Sequence, residues 1–311
     1  MQKIRTDLAI EAHEMCSKEK AEKNHLDGIN VSEYQNGDVF ITRIEVTNEK
    51  GSEILGKPKG NYITLEIPNL KYSDEAYQSA CQEIAKQLET LIKITDKTKT
   101  LVVGLGNKAI TSDALGPKAV SNLVVTNHIK QGNDFLGDSF SRVCAIVPGV
   151  LGTTGIETID IIKGVVEKTK PEIVIAIDAL ASRSMDRISN TVQISDTGIN
   201  PGSGVENRRE GINEEALGIK VIAIGVPTVV DAATVASDSI DAVLTKTNED
   251  LKDLGRDKIY SLLAKSVGNM MVTPKDIDSV IEKASKTVAN GINLALHKDL
   301  TLSEIESYIS Y

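Results

Sequence analysis

Apolar residues along this chain fall into two patterns. Four runs are continuous or nearly so: Leu101-Val102-Val103, residues 143–147, Ile173-Val174-Ile175-Ala176-Ile177, and residues 220–225. β-Branched runs apolar on both faces predict central strands of a parallel sheet. Residues 38–46 and 61–67 instead alternate apolar with polar positions. They predict two half-exposed strands, joined by a Gly-, Lys- and Pro-containing loop over 49–60. Ala76, Ala80, Ile84 and Leu88 recur every four residues, and so predict a helix over 73–91. Helical patterns also cover 8–18, 113 to about 128, 156–167, 231–245 and 274–297, whereas residues 1 to about 34 are mostly polar and charged. The stretch 181–218 is rich in Ser, Asn, Arg and Gly, holds one short strand candidate at 191–194, and reads as a long insertion. Strands alternating with helices imply an α/β fold: a mostly parallel sheet with helices on both faces, extra N-terminal strands, and the 181–218 insertion.

In open α/β sheets the carboxyl ends of the strands line the ligand crevice. The run at 101–103 leads into Gly104-Leu105-Gly106-Asn107 and then Thr111-Ser112-Asp113, and Asp178 directly follows the run at 173–177. Two carboxylates facing one cleft can divide acid and base roles between them. Each also has a structural reading. Asp113 can cap the helix that follows it, and Asp178 can accept backbone amides at a strand end. Gly104, Gly106 and Asn107 are candidate substrate contacts. With Ala109 they make a partial dinucleotide fingerprint, but the loop runs on to Asp113 and no acid ends the next strand. A tight turn admitting close backbone approach fits better. Gly149 and Gly152 lie in a loop whose amides can hold an anion or a peptide, or simply join strand to helix. Arg208 and Arg209 can meet an acidic substrate residue or remain solvated.

Composition narrows the function. The chain has 311 residues, a net charge of −9, and 3% aromatic residues with no Trp, which argues against a nucleic-acid surface. Cys16, Cys81 and Cys144 are too few and too scattered for a disulfide framework and suit a reducing compartment. Cys144, in an apolar run, reads as core, with a nucleophile as the alternative. His13, His25, His128 and His297 show no metal-ligand spacing, so neither metal nor cofactor is expected. No segment approaches the ~18 apolar residues of a membrane span, and no apolar leader precedes residue 8; a cytoplasmic location is expected.

Several stretches carry a more specific resemblance: IRTDLAIEAHEM, VVGLGNKAITSDALGPKAV, VPGVLGTTGIET, EIVIAIDALASRSMDRISNTVQISDTGINPGSGVENRR and GVPTVVDAAT. Together they resemble the spore germination proteases, whose phosphorylase/hydrolase-like core is similar to that of the hydrogenase maturation proteases. The resemblance implies an endopeptidase of small acid-soluble spore proteins, with Asp113 and Asp178 at the positions of the family's catalytic acids. It also implies a zymogen that removes its own propeptide, homotetramer assembly, and a location inside the developing spore. Cleavage in the family follows an acidic residue and precedes an apolar one. Asp7-Leu8-Ala9 fits that pattern, which makes Asp7–Leu8 the expected processing bond, 1–7 the propeptide and 8–311 the protease domain (core about 99–311, N-terminal elaboration 8–98). The prosegment can inhibit by placing the bond in or beside the cleft through Ile4 and Leu8, by holding a loop over Asp178, or by pairing Arg5 with a catalytic carboxylate. The chain departs from the hydrogenase maturation pattern in carrying Ser112-Asp113 where those proteins have paired acids. Three alternatives remain at this point: a metal-dependent endopeptidase of that second type, a phosphate- or ribose-binding enzyme on the same sheet, and a non-enzymatic spore-protein binding module using 181–218.

Overall fold

The computed structural model describes residues 6–20, 26–130, 139–202, 210–247, 263, 265–267 and 270–309. Its strands are β1 (Ile29–Asn36), β2 (Val39–Val46), β3 (Gly60–Glu66), β4 (Lys99–Gly104), β5 (Arg142–Ile146), β6 (Ile173–Ser182), β7 (Thr191–Ser195), β8 (Lys220–Asp231) and β9 (Met271–Val272). They form one sheet in the order β1-β2-β3-β7-β8-β6-β4-β5, with β9 paired to the far end of β8.

The fold is α/β, as the pattern implies, but the sheet is mixed. Parallel pairing is confined to β5-β4-β6-β8. β1, β2, β3, β7 and β9 all pair antiparallel. Connection length accounts for the difference. β1 and β2 are joined by a two-residue turn, which permits only an antiparallel pair, whereas the β5–β6 connection carries the helix Thr158–Thr169.

The central strands are buried on both faces, which is why they read as unbroken apolar runs. In β6, Ile173, Ile175 and Ile177 face a core closed by the helices Asp74–Leu91, Leu115–Val120 and Ile277–Leu296. Val174 and Ala176 face the other side, where Ile159 and Ile162 of Thr158–Thr169 pack. Further along that second side lies a third cluster, in which Leu8, Ala9 and Ala12 of the first helix region meet Ile44, Tyr62 and Leu180. Among the described residues no helix is long and apolar enough to cross a membrane.

Several sequence expectations are corrected. The region 49–60 contains the helix Glu49–Leu55, whose N-cap Asn48 accepts the Gly51 N–H and whose C-cap Gly56 adopts the left-handed conformation. The helix expected over 113–128 is divided into the 3-10 turn Thr111–Asp113, the helix Leu115–Val120 and the helix Asn127–Lys130. Between the last two, Val124 N–H donates to Asn293 Oδ1 and Thr126 N–H to the Val143 carbonyl, so tertiary bonds replace the helical ladder. The strand expected at 191–194 is present as β7, but it is no peripheral part of an insertion: it lies between β3 and β8 and joins the N-terminal strands to the parallel core. Finally, β6 does not end before Asp178. It continues to Ser182, paired with β8 throughout.

The first turn after β4 is packed backbone to backbone. A Cβ at Gly116 would lie 2.4 Å from the Leu105 carbonyl oxygen and 2.6 Å from that of Ile177. Neither neighbour is a flexible side-chain end, so Gly116→Ala forces the helix Leu115–Val120 off the sheet. The expected cost is about 1–3 kcal/mol, read as a lowered urea midpoint; an unchanged midpoint contradicts this packing.

Candidate active site

β4 pairs with β6 only as far as Gly104, opposite Ile177. Beyond that point β6 runs on without β4, and Asp178 is its first residue past the pairing. Side chains alternate along a strand, so Asp178 projects on the same side as Ala176 and Leu180, between two apolar clusters. It is buried, and the Ala179 N–H donates to its Oδ1 at 2.9 Å.

Asp113 reaches the same place by a different route. The chain leaves β4 with the Leu105 N–H donating to the Ile177 carbonyl at 2.8 Å. It then turns at Gly106, where φ is +107° and a Cβ would meet the Asp113 carbonyl oxygen at 2.1 Å. Only glycine fits both demands. The turn brings the Asn107 N–H to Asp113 Oδ2 at 2.8 Å. The bond goes back to the preceding turn: Ala114 is the N-cap of Leu115–Val120 and no side chain caps that helix. The structural role of this carboxylate is therefore to close the β4 exit loop and not to cap a helix.

A bulge on β8 secures the arrangement. Leu180 pairs with Pro227 and Ala181 with Val229, which leaves Thr228 as the extra residue. Thr228 Oγ1 donates to the Ser112 carbonyl at 2.7 Å, and Thr273 Oγ1 donates to the Thr228 carbonyl at 2.9 Å. Bulges commonly re-aim groups next to functional sites. This one ties β8 to the residue just before Asp113.

Asp7, Asp113 and Asp178 line a single cleft of about 400 Å³, together with Gly106, Asn107 and Gly149. Gly104 lies under the turn, against the Gly116 backbone, and Gly152 sits in the exposed helix Leu151–Thr154. Neither borders the cleft. Arg208, Arg209, Ile4 and Arg5 lie outside the described residues. Cys144 lies on β5 and is not part of the cleft; burial pushes its thiol up. Among the described residues, no three His, Cys, Asp or Glu side chains gather as a metal-ligand group.

Burial and like charge set the electrostatics. Desolvation holds the Asp178 carboxyl well above the usual carboxylate range, and the negative charges of Asp113 and Asp7 push it further the same way. Asp113 is also raised by burial, opposed by the Asn107 N–H bond. Such a pair favours sharing one proton over double ionisation.

Asp7 fills the edge of β6 left vacant by β4. Ile177 and Ala181 have the same parity, so both present backbone groups to that edge. Asp7 N–H donates to the Ala181 carbonyl at 2.9 Å, and the Ala181 N–H donates to Asp7 Oδ2 at 2.9 Å. Leu8 is fully buried beside Leu180. The helix Ala9–Lys20 is anchored beyond it. Glu11 accepts the Arg183 and Ser184 N–H groups at 2.7 and 2.9 Å, and Arg187 pairs with Glu14 at 2.6 Å. Sequence reasoning missed this clamp, because its two halves are far apart in the chain and neither forms a local motif.

The raised Asp178 carboxyl implies a stability penalty. Below the ordinary carboxylate value of 3.8 the group is protonated in both folded and unfolded chains. As pH rises through that value the unfolded chain ionises first, and stability falls until the folded pKa is passed. Asp178→Asn is therefore expected to raise the urea midpoint at neutral pH, with the gain vanishing in acid. A gain of equal size at both pH values contradicts this account.

Comparisons place the chain among known proteins. A peptidase family model described as germination protease (Peptidase_A25) matches residues 9–266 and 253–309. A germination protease of Clostridium tetani is 47% identical over 324 aligned residues, covering 99% of each chain. One from Caldanaerobacter subterraneus is 44% identical, covering 98% of each. One from Bacillus thuringiensis is 41% identical, covering 98% of this chain and 96% of its own.

Proposed function

Since this chain belongs to the germination protease family, it is a spore germination endopeptidase, and we propose that it cuts peptide bonds by aspartic-type acid/base chemistry at Asp113 and Asp178. The observation that carries this reading is the convergence of two carboxyls, buried Asp178 and half-buried Asp113, on one cleft.

Hydrolysis needs a base to activate water and an acid to protonate the departing amine. Asp178 is the more strongly raised of the two and keeps the shared proton; Asp113, steadied by the Asn107 N–H, is the ionised partner. In the forward step the oxygen of a water bonds to the carbonyl carbon while Asp113 takes one of its protons. The tetrahedral intermediate then collapses. The C–N bond breaks as Asp178 gives its proton to the nitrogen, and the new carboxylic acid ionises to the solvent or the amine. The proton on Asp113 returns to Asp178, restoring the starting pair.

The chain is a zymogen on this reading, with Asp7–Leu8 as its processing bond and small acid-soluble spore proteins as its later substrates inside the spore, where it works as a homotetramer. Asp7 pairs with Ala181 along β6 and forms part of the cleft wall. Strand addition along a free edge is a common mode of peptide recognition, and the backbone pairing of Asp7 with Ala181 supports entry of extended substrates along the same edge once residues 1–7 have left.

Asp113→Asn and Asp178→Asn are each expected to slow the appearance of a Leu8 N-terminus, followed by mass spectrometry, by about 100- to 10,000-fold. Full processing by either variant sinks the acid pair. With a peptide containing Glu-Phe-Ala, the Leu8-start form is expected to cleave after Glu faster than the full chain does. Its rate should fall toward high pH, as Asp178 loses its proton, and toward low pH, as Asp113 gains one; a flat pH–rate profile counts against the assignment. Loss of this activity on chelation, with recovery on adding a divalent metal, favours the metal-dependent alternative instead.

A further inference from the structure

The carbonyl of Asp7 is held by two donors from elements distant in sequence. Lys57 Nζ donates to it at 2.8 Å and Gln193 Nε2 at 3.3 Å. The same Gln193 amide accepts the Ala9 N–H through its Oε1 at 2.6 Å. Gln193 thus brackets the Asp7–Leu8 bond, hydrogen-bonding the backbone on both sides. The remaining polar group of that peptide, the Leu8 N–H, donates to Thr6 Oγ1 at 3.0 Å.

Both donors are fixed before any reaction. Lys57 follows the C-cap of the helix Glu49–Leu55, in a loop pinned at both sides: Ser52 Oγ donates to the Lys57 carbonyl at 2.6 Å, and Tyr62 Oη to the Pro58 carbonyl at 2.8 Å. Gln193 sits on β7, buried between β3 and β8. Burial lowers the Lys57 ammonium, and the charges of Asp7 and Glu11 draw it back up. A desolvated cation against a carbonyl oxygen is positioned to meet negative charge as it develops there.

We propose that Lys57 and Gln193 are the carbonyl-activating pair of this peptidase, holding the oxygen of the scissile bond and neutralising the oxyanion that forms when water attacks. The inference rests on Asp7–Leu8 being the bond cut. As the oxygen of water bonds to the Asp7 carbonyl carbon and its proton passes to Asp113, the carbonyl π electrons move onto the oxygen facing Lys57 and Gln193. They return to rebuild the C=O bond when Leu8 nitrogen leaves with the proton from Asp178. Lys57 and Gln193 gain and lose no proton in the cycle. The role is independent of the residue before the bond, because the contact is to its backbone.

The test is the first-order rate of Asp7–Leu8 cleavage in the full chain, read as the Leu8 N-terminus by mass spectrometry, with the urea midpoint of every variant alongside. Lys57→Met is expected to lose at least about 100-fold in rate with an undiminished midpoint, and Lys57→Arg to recover part of that loss by restoring a charged donor. Asp7→Asn separates two roles for Lys57. If it serves the carbonyl, Lys57→Met costs the same factor with or without Asp7→Asn. If it merely recognises the acidic side chain, the cost disappears in the double variant, and the proposal is overturned. It is equally overturned if the unsubstituted chain processes and Lys57→Met keeps pace with it. An unsubstituted chain that never yields a Leu8 terminus removes the processing reading itself, a separate failure that the first measurement reveals.

Discussion

β6 outruns β4, and the site depends on that mismatch. β4 stops opposite Ile177 while β6 continues to Ser182 with β8 still beside it. The strand past Ile177 therefore has one paired edge and one vacant edge. Asp178 projects at the point of divergence, Ala181 offers its backbone to the vacancy, and Asp7 takes it. The exit turn of β4 must then fold back at once, and it does so through Gly106, which returns the chain to place Asp113 over the same gap. A strand of equal length beside β6 would fill the cleft and leave nowhere for a peptide to lie.

The mismatch has an energetic consequence. A carboxyl on a buried strand is costly to ionise, and a second carboxyl across the cleft adds to the cost. The fold tolerates this because the surrounding structure over-determines the site. The β8 bulge ties Thr228 to Ser112, the Gly116 backbone packs on Leu105 and Ile177, and Glu11 holds the turn after β6 through Arg183 and Ser184. Stability given up at functional residues and recovered in their supports is common in proteins that must do chemistry. On the proposed processing at Asp7–Leu8, the contacts of Glu11 and Glu14 lie on the side of the bond that keeps the first helix.

The parallel core was legible because strands buried on both faces leave long apolar runs, and β4 and β6 leave very clear ones. Asp178 and the glycine turn could be found for the same reason: each interrupts such a run. Other elements left weaker traces. β1 is exposed along nearly its whole length, with only Ile29 buried, so its sequence shows no buried face. The helix Glu49–Leu55 is short and set by its caps more than by periodicity. The end of β6 was misplaced because a carboxylate and small residues look like loop, when here they are a strand facing a cleft. Lys57 was invisible, since nothing local marks a lysine in a Gly-Lys-Pro turn as a donor to a carbonyl fifty residues away. Gln193 left no signal, since it shares the polar alternate positions of β7 with Thr191 and Ser195, and its partners, at residues 7 and 9, come from the other end of the chain.

The central claim is that one water serves both carboxyls at the Asp7–Leu8 bond, and a high-resolution crystal structure of the full-length Asp178→Asn variant tests it most directly. The account predicts the bond intact, with an ordered water within hydrogen-bond reach of both Asp113 and the substituted side chain and facing the Asp7 carbonyl carbon, while the carbonyl oxygen points to Lys57 and Gln193. Side chains at 113 and 178 too far apart to share a water, or a bond whose carbonyl carbon faces away from both, would contradict it.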